Sequence, residues 1–359
     1  MAPKVMEMSR PLTVSASMPE GFGAALPPEL DPAIRAWQRR EAELRAEIAA
    51  RATRPAPGMP VGFDLAGMRA LEREVSDRLA REFTAPVPEG VVIEDLTAGG
   101  VRVRRYRPAL QVATDAPLPT QIWLHGGGFV VGAVDEEVND RILGMRVALS
   151  GFQILSVDYR LAPEHLYPAA VQDALAVIGA VAADPLAWGA APGQLGLGGA
   201  SAGAMIAASA ALRLGATRPG LLRHLCLEVP PVTLVPHGAS WTAYAPLLGS
   251  TDALALAALA YLPSATLDDG YAVPLTLAQQ GRAAGLPPTT ILTAEFDALR
   301  DGAEEFGRLL GEAGVPTHVM RGEGHVHASS FLTRTFKAAR QWQGWLALAV
   351  AAALGPTPA

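Results

Sequence analysis

Two glycine-framed segments hold the residues best suited to chemistry. Gly199-Ala200-Ser201-Ala202-Gly203 sets a serine between small residues, and glycines there permit a sharp strand-to-helix turn with room for the approaching helix. Such a turn lifts the hydroxyl toward a substrate, where a neighbouring base can make it a nucleophile for an acyl carbon. His125-Gly126-Gly127-Gly128-Phe129 supplies the complementary part. Three glycines allow backbone N–H groups to turn toward an oxygen on which negative charge develops, with Gly127, Gly128 and Ala202 as the candidate donors. Each segment also has a plainer reading. The first could be a tight turn with a structural serine; the second could be a flexible turn or a phosphate cradle, although no Lys-Ser/Thr pair follows it.

Acyl transfer by serine further needs a base and a carboxylate that orients it. Asp297, in Thr293-Ala294-Glu295-Phe296-Asp297, follows one apolar run, and His325 follows the next. The chain order Ser201, Asp297, His325 is that of the α/β-hydrolase arrangement. His327 is a rival to His325. Both at a strand end would share a face, so a His-x-His metal pair is an alternative, with only Glu323 nearby as a third ligand.

The elements around these residues have a recognisable order. Asp31 followed by Pro32 starts a helix through Trp37 and Leu44 to Ile48, and Asp64 starts a second with Leu65, Met68, Leu71, Val75 and Leu79 on one face. Arg54-Pro55-Ala56-Pro57-Gly58 breaks the chain between them, and residues 1 to about 29 read as a tail. From Val91 the pattern becomes strand-like, which sets a domain boundary near residue 88: a tail and helical cap over 1–88 and a catalytic domain over 89–359. Beyond that boundary short apolar runs alternate with helical stretches at residues 121–124, 154–157, 195–197, 225–229, 290–293 and 317–320. Such alternation predicts a mostly parallel sheet with helices on both faces, and ligands in such sheets bind beyond the carboxyl ends of the strands.

Composition narrows the partners. The chain has 359 residues, 50% of them hydrophobic, and a net charge of −6, enough for a substantial core and with no basic stripe for nucleic acid. Arg102, Arg104, Arg105 and Arg107 decorate a strand whose alternating faces separate them. Cys226, the one cysteine, lies in an apolar run and reads as core. Neither the first ten residues nor the Ala/Leu-rich stretches 253–262 and 345–354 match a secretion signal or a membrane span, so a cytoplasmic protein without membrane insertion is expected.

The chain resembles the bacterial hormone-sensitive-lipase family of α/β-hydrolases. The resemblance rests on the two glycine segments, on Asp158-Tyr159-Arg160-Leu161-Ala162-Pro163-Glu164-His165, on Ala294-Glu295-Phe296-Asp297-Ala298-Leu299-Arg300-Asp301 and on Gly322-Glu323-Gly324-His325. It implies an α/β-hydrolase fold with a helical N-terminal cap and a second cap segment over about 235–263. By it, Ser201, Asp297 and His325 form a catalytic triad, Gly127, Gly128 and Ala202 form the oxyanion hole, and His125 is structural. It further implies hydrolysis of short- to medium-chain acyl esters through an acyl-enzyme, with no metal or organic cofactor; family habit favours a homodimer. The chain departs from the family pattern at Ala200, where Asp usually precedes the nucleophile, at Val326 and His327, where Gly and Phe commonly follow the histidine, and at Leu166, where Pro often follows Glu-His.

Other functions are compatible with parts of this pattern. A lactonase, amidase or deacetylase would use the same triad, and a small-molecule receptor of the same fold would lack the catalytic histidine. Gly196-Leu197-Gly198-Gly199 only superficially suggests a dinucleotide loop, since the third glycine is missing at its expected position. Trp37, Met59, Phe63 and Met68 would either line an acyl pocket or pack the cap onto the core.

Overall fold

Continuous apolar strands require cover on both faces, and the fold provides it. The computed structural model describes residues 30–51, 64–114, 116–248, 261–262 and 270–355. Strands β1 (Val91–Ala98), β2 (Val101–Pro108), β3 (Leu118–Leu124), β4 (Gln153–Val157), β5 (Ala190–Ala200), β6 (His224–Glu228), β7 (Thr289–Phe296) and β8 (Thr317–Val326) form one sheet in the order β1-β2-β4-β3-β5-β6-β7-β8. The first two strands pair antiparallel and β2 meets β4 antiparallel; from β4 to β8 every pairing is parallel.

Ten helices of the described residues surround the sheet: α1 (Pro32–Arg51), α2 (Leu65–Phe83), α3 (Ala109–Thr114), α4 (Glu137–Ser150), α5 (Ala169–Ala183), α6 (Ala202–Thr217), α7 (Gly238–Tyr244), α8 (Pro274–Gln279), α9 (Arg300–Glu312) and α10 (Lys337–Leu354). Alternation along the strands sorts side chains to two cores. Ile122, Leu124, Leu155 and Val157 pack with α5, α6 and α9 on one face, whereas Trp123 and Ile154 pack with Leu143 and Val147 of α4 and Leu346 and Val350 of α10 on the other. Cys226 lies in that second core, as its apolar setting suggested. No described helix is long and apolar enough to cross a membrane.

The two N-terminal helices begin where their caps predicted. The Asp31 carboxylate accepts from the Ala33 N–H at 2.8 Å and that of Asp64 from the Gly67 N–H at 2.9 Å, satisfying amides that a helix start leaves without a partner. Ile34, Leu44, Val75 and Phe83 then form a third core with Phe296 and Val326, at the carboxyl ends of β7 and β8. Arginines of α2 fasten it to the rest: Arg69 pairs with Glu164 at 2.7 Å and Arg73 with Asp135 at 2.7 Å, and Arg81 pairs with Glu137. The strand arginines are likewise neutralised, Arg102 and Arg104 by Asp95 and Arg105 and Arg107 by Glu94.

The breaker at 54–58, the residues Met59 and Phe63, the N-terminal tail and most of the 253–262 stretch lie outside the described residues, as does much of the expected second cap segment.

Packing on the α4/α10 face sets a clear contrast within α10. Leu346 is fully buried and Leu348 is 64% exposed, so Leu346→Ala should cost about 2–5 kcal/mol and Leu348→Ala less than about 0.5 kcal/mol in denaturant unfolding.

Candidate active site

Strand β5 ends at Ala200 and α6 begins at Ala202, leaving Ser201 alone to turn the chain, at φ 50° and ψ −121°. That is an uncommon conformation for a residue with a side chain, and it persists only where the surroundings enforce it. Two of those surroundings are visible. The Ser201 N–H donates to the Glu228 carbonyl of β6 at 2.8 Å, and Gly203 brings α6 so close to β3 that a methyl group there would overlap the Leu124 and His125 carbonyls.

The tri-glycine loop runs directly beside this turn. A β-carbon on Gly126 would stand 3.6 Å from that of Ser201. Gly127 has φ 126° and turns back so tightly that any side chain would strike the Val131 carbonyl. Among the described residues the amides of Gly127, Gly128 and Ala202 donate to no other protein group.

The loop is braced from three sides. His125 is buried, its Nδ1–H donates to the Gly126 carbonyl at 2.7 Å, and its ring stacks on Tyr159 with centroids 4.4 Å apart. The Tyr159 hydroxyl donates to the His125 carbonyl at 2.8 Å. From α2, Arg69 Nε donates to the Val130 carbonyl at 2.8 Å. His125 thus supports the loop, as the resemblance implied. Burial drives its pKa down and keeps the ring neutral.

The structure corrects the histidine. His327, not His325, meets the serine and the aspartate: its Nδ1 lies 2.8 Å from Asp297 Oδ2 and its Nε2 lies 3.0 Å from Ser201 Oγ. His325 faces the α10 core instead, its ring 4.8 Å from those of Phe336 and Trp342 and its Nδ1 2.8 Å from Ser329 Oγ. The cause is an irregularity in the last strand pair. Between Ala294↔Gly322 and Phe296↔Val326, β7 advances two residues while β8 advances four. The two additional residues, held in part by the Gly324 N–H donating to Glu295 at 2.7 Å, prolong β8 to Val326 and make His327 the first residue beyond the strand. The two histidines therefore turn to different surroundings and form no metal pair; among the described residues no His/Cys/Asp/Glu cluster could hold a metal ion.

With the register corrected, one departure from the family pattern changes its meaning. The residue after the histidine is Ala328, at φ 65°, a left-handed conformation that glycine adopts more easily. That position was the signal available in the sequence: a histidine followed by a small residue able to turn.

Electrostatics separate the two rings as well. Burial alone lowers the His327 pKa, but the charge and hydrogen bond of Asp297 outweigh it and the net shift is upward. His325, with no such partner, is lowered to about 4 by burial. Asp297 is itself 1% exposed, and its other oxygen accepts from the Leu299 N–H at 3.0 Å. With Nδ1–H committed to Asp297, Nε2 is left to accept the Ser201 proton.

A cavity of about 450 Å³ opens onto these atoms. Gly127, Gly128, Ser201 and His327 line it, together with Trp37, Glu41, Arg45, Glu72, Val75 and Leu79 of the N-terminal helices. Of the four apolar residues expected near an acyl pocket or in the cap packing, Trp37 lines this cavity, Met68 does not, and Met59 and Phe63 are outside the described residues.

A sequence-family model described as the α/β hydrolase fold matches residues 121–331. The esterase LipI of Mycobacterium tuberculosis is 34% identical over 273 residues, covering 73% of this chain and 81% of that protein. The chain belongs to the hormone-sensitive-lipase family of α/β hydrolases. The carboxylic ester hydrolase LipN of the same organism is 32% identical to this hydrolase over 72% of the chain and 68% of LipN. Among solved structures, an esterase from Pyrobaculum calidifontis matches it with a TM-score of 0.74 at 28% identity, over 90% of this chain and 98% of the other. A thermostable esterase from Pseudomonas putida matches with a TM-score of 0.76 at 25% identity, over 93% and 100%.

The two histidines should titrate apart in NMR spectra, His327 above the ordinary value of 6.5 and His325 near 4. Asp297→Asn removes the charge that raises His327 and leaves its burial, so that pKa should fall below its ordinary value while that of His325 stays in place.

Proposed function

We propose that this hydrolase cleaves short- to medium-chain carboxylic esters with Ser201 as nucleophile, His327 as general base and Asp297 as the carboxylate that orients it. That it is a carboxylesterase-type hydrolase of ester bonds follows from its family and from relatives named as esterases; the residue roles and the acyl-enzyme are the present reading. The observation that carries them is the unbroken relay Asp297–His327–Ser201, with separations of 2.8 Å and 3.0 Å.

The chemistry follows from this geometry. His327 takes the hydroxyl proton as Ser201 Oγ bonds to the acyl carbon, and the carbonyl oxygen becomes an oxyanion that accepts from the free amides of Gly127, Gly128 and Ala202. The imidazolium then protonates the departing alcohol as the acyl–oxygen bond breaks. Water, deprotonated by the same imidazole, attacks the acyl-enzyme and releases the acid. Asp297 stays ionised throughout and stabilises the imidazolium. The N-terminal helices act as the cap over the cavity, where Trp37, Val75 and Leu79 offer apolar surface to acyl chains of modest size beside the polar Glu41, Arg45 and Glu72.

Hydrolysis of p-nitrophenyl esters from acetate to laurate tests this reading. Ser201→Ala and His327→Ala should each lower kcat by more than about 10³-fold, whereas His325→Ala should keep its turnover wherever the protein stays folded. Wild-type turnover in either of the first two variants would overturn the assignment. Because the base must be neutral and its pKa is raised, kcat/KM should climb with pH through a midpoint above the ordinary 6.5 of histidine.

A further inference from the structure

Glu228 touches both halves of the site without entering the cavity. Its backbone carbonyl accepts from the Ser201 N–H at 2.8 Å. Its side chain reaches the segment that carries the histidine: Oε1 accepts from the Ser330 hydroxyl at 2.8 Å and from Trp342 Nε1 at 2.8 Å. Ser330 is three residues beyond His327, and the short turn between them leaves little freedom to the imidazole once Ser330 is held.

The carboxylate is part of a closed ring of hydrogen bonds. Glu228 Oε2 accepts from Arg146 Nη2 at 2.7 Å, Arg146 Nε donates to Gln343 Oε1 at 2.7 Å, and Gln343 Nε2 donates to the Ser330 carbonyl at 2.9 Å. The ring returns to Glu228 through the Ser330 hydroxyl. Its members are at most 4% exposed, where little water competes for these bonds and a charge is retained only when paired. In a purely apolar core neither carboxylate nor guanidinium would be required for packing.

The strand register shows why the carboxylate comes from β6. Ala200 and Glu228 are directly facing partners in the parallel β5/β6 pair, and Ala200, the residue before the nucleophile, brings no polar atom of its own. We propose that Glu228 is a positioning residue for the reaction: with its main chain it holds the serine turn, and with its side chain, through Ser330, it fixes the loop that presents His327. This rests on the reading of His327 as the base.

Ser330→Ala removes the direct bond from Glu228 to the loop while leaving the Arg146–Glu228 pair and the Gln343 bond to the Ser330 carbonyl intact, which makes it the milder probe. Turnover of p-nitrophenyl butyrate is measured per active serine, counted by end-point labelling with an organophosphate. Displacing a catalytic group by about 1 Å typically costs on the order of 10²-fold in rate, so kcat should fall about 10- to 100-fold with KM within about twofold of wild type. Ser330→Thr, which keeps the hydroxyl, should recover most of it. A second arm moves the carboxylate across the register: Glu228→Met should lower kcat or fail to fold, and Glu228→Met with Ala200→Asp should restore folding and kcat.

Wild-type kcat per active serine in Ser330→Ala, or a raised KM with kcat unchanged, would overturn the proposal. If His327→Ala is inactive in the same assay, that failure belongs to Glu228 alone; an active His327→Ala would instead remove the reading on which it rests.

Discussion

A serine with a positive φ is the constraint on which the arrangement depends. At φ 50° Ser201 stands outside the regions that side-chain-bearing residues favour, a cost of order 1–3 kcal/mol that the surrounding structure must offset. The offset comes from both flanks: β5 is paired with β3 and β6, α6 is packed into the larger core, and the Ser201 amide is bonded to β6. Strain of this kind aims the hydroxyl away from the sheet and into the cavity. The glycines around it are the sites at which neighbouring backbones close to within a methyl group's radius of the turn.

Electrostatics follow from the same crowding. Asp297 is almost fully buried, so its charge acts on His327 with little screening and its effect outweighs the desolvation of the ring. One core away, Arg146 and Glu228 are both buried at 0% exposure. Breaking such a pair by removing one member typically costs about 3–5 kcal/mol. The stack of Arg146 over Trp123, 4.4 Å from the ring centroid, gives the cation a second favourable contact. Polar groups in this interior thus sit against the turn that follows His327, which they bond at Ser330.

Much of this was legible in the amino-acid order. Caps at Asp31 and Asp64, the apolar runs that became β3 to β8, and the serine and aspartate all depend on local pattern, and each lies where that pattern put it. The histidine did not. Its position depends on how many residues β8 spends opposite β7, and an irregular pairing two residues longer on one strand leaves no mark in the periodicity of either. The ring through Arg146, Glu228, Ser330 and Gln343 was illegible for another reason: it is assembled from α4, β6, the turn after β8 and α10, with partners as far as 197 positions apart. No window of sequence contains it.

The end of α2 carries a mechanical implication. Thr84 Oγ1 donates to the Phe331 carbonyl at 2.8 Å, the Ala85 N–H donates to Thr333 Oγ1 at 3.0 Å, and the Arg334 N–H donates to the Phe83 carbonyl at 2.9 Å. Roof and base are therefore riveted to each other as well as to the sheet. A ligand cannot gain entry by swinging the whole of α2 aside without tugging on the peptide that aims the imidazole. Nearer Asp64, Arg69 ties the same helix to the Val130 and Ala162 carbonyls and to Glu164, so both ends of α2 are anchored to the loops that surround Ser201 and His327.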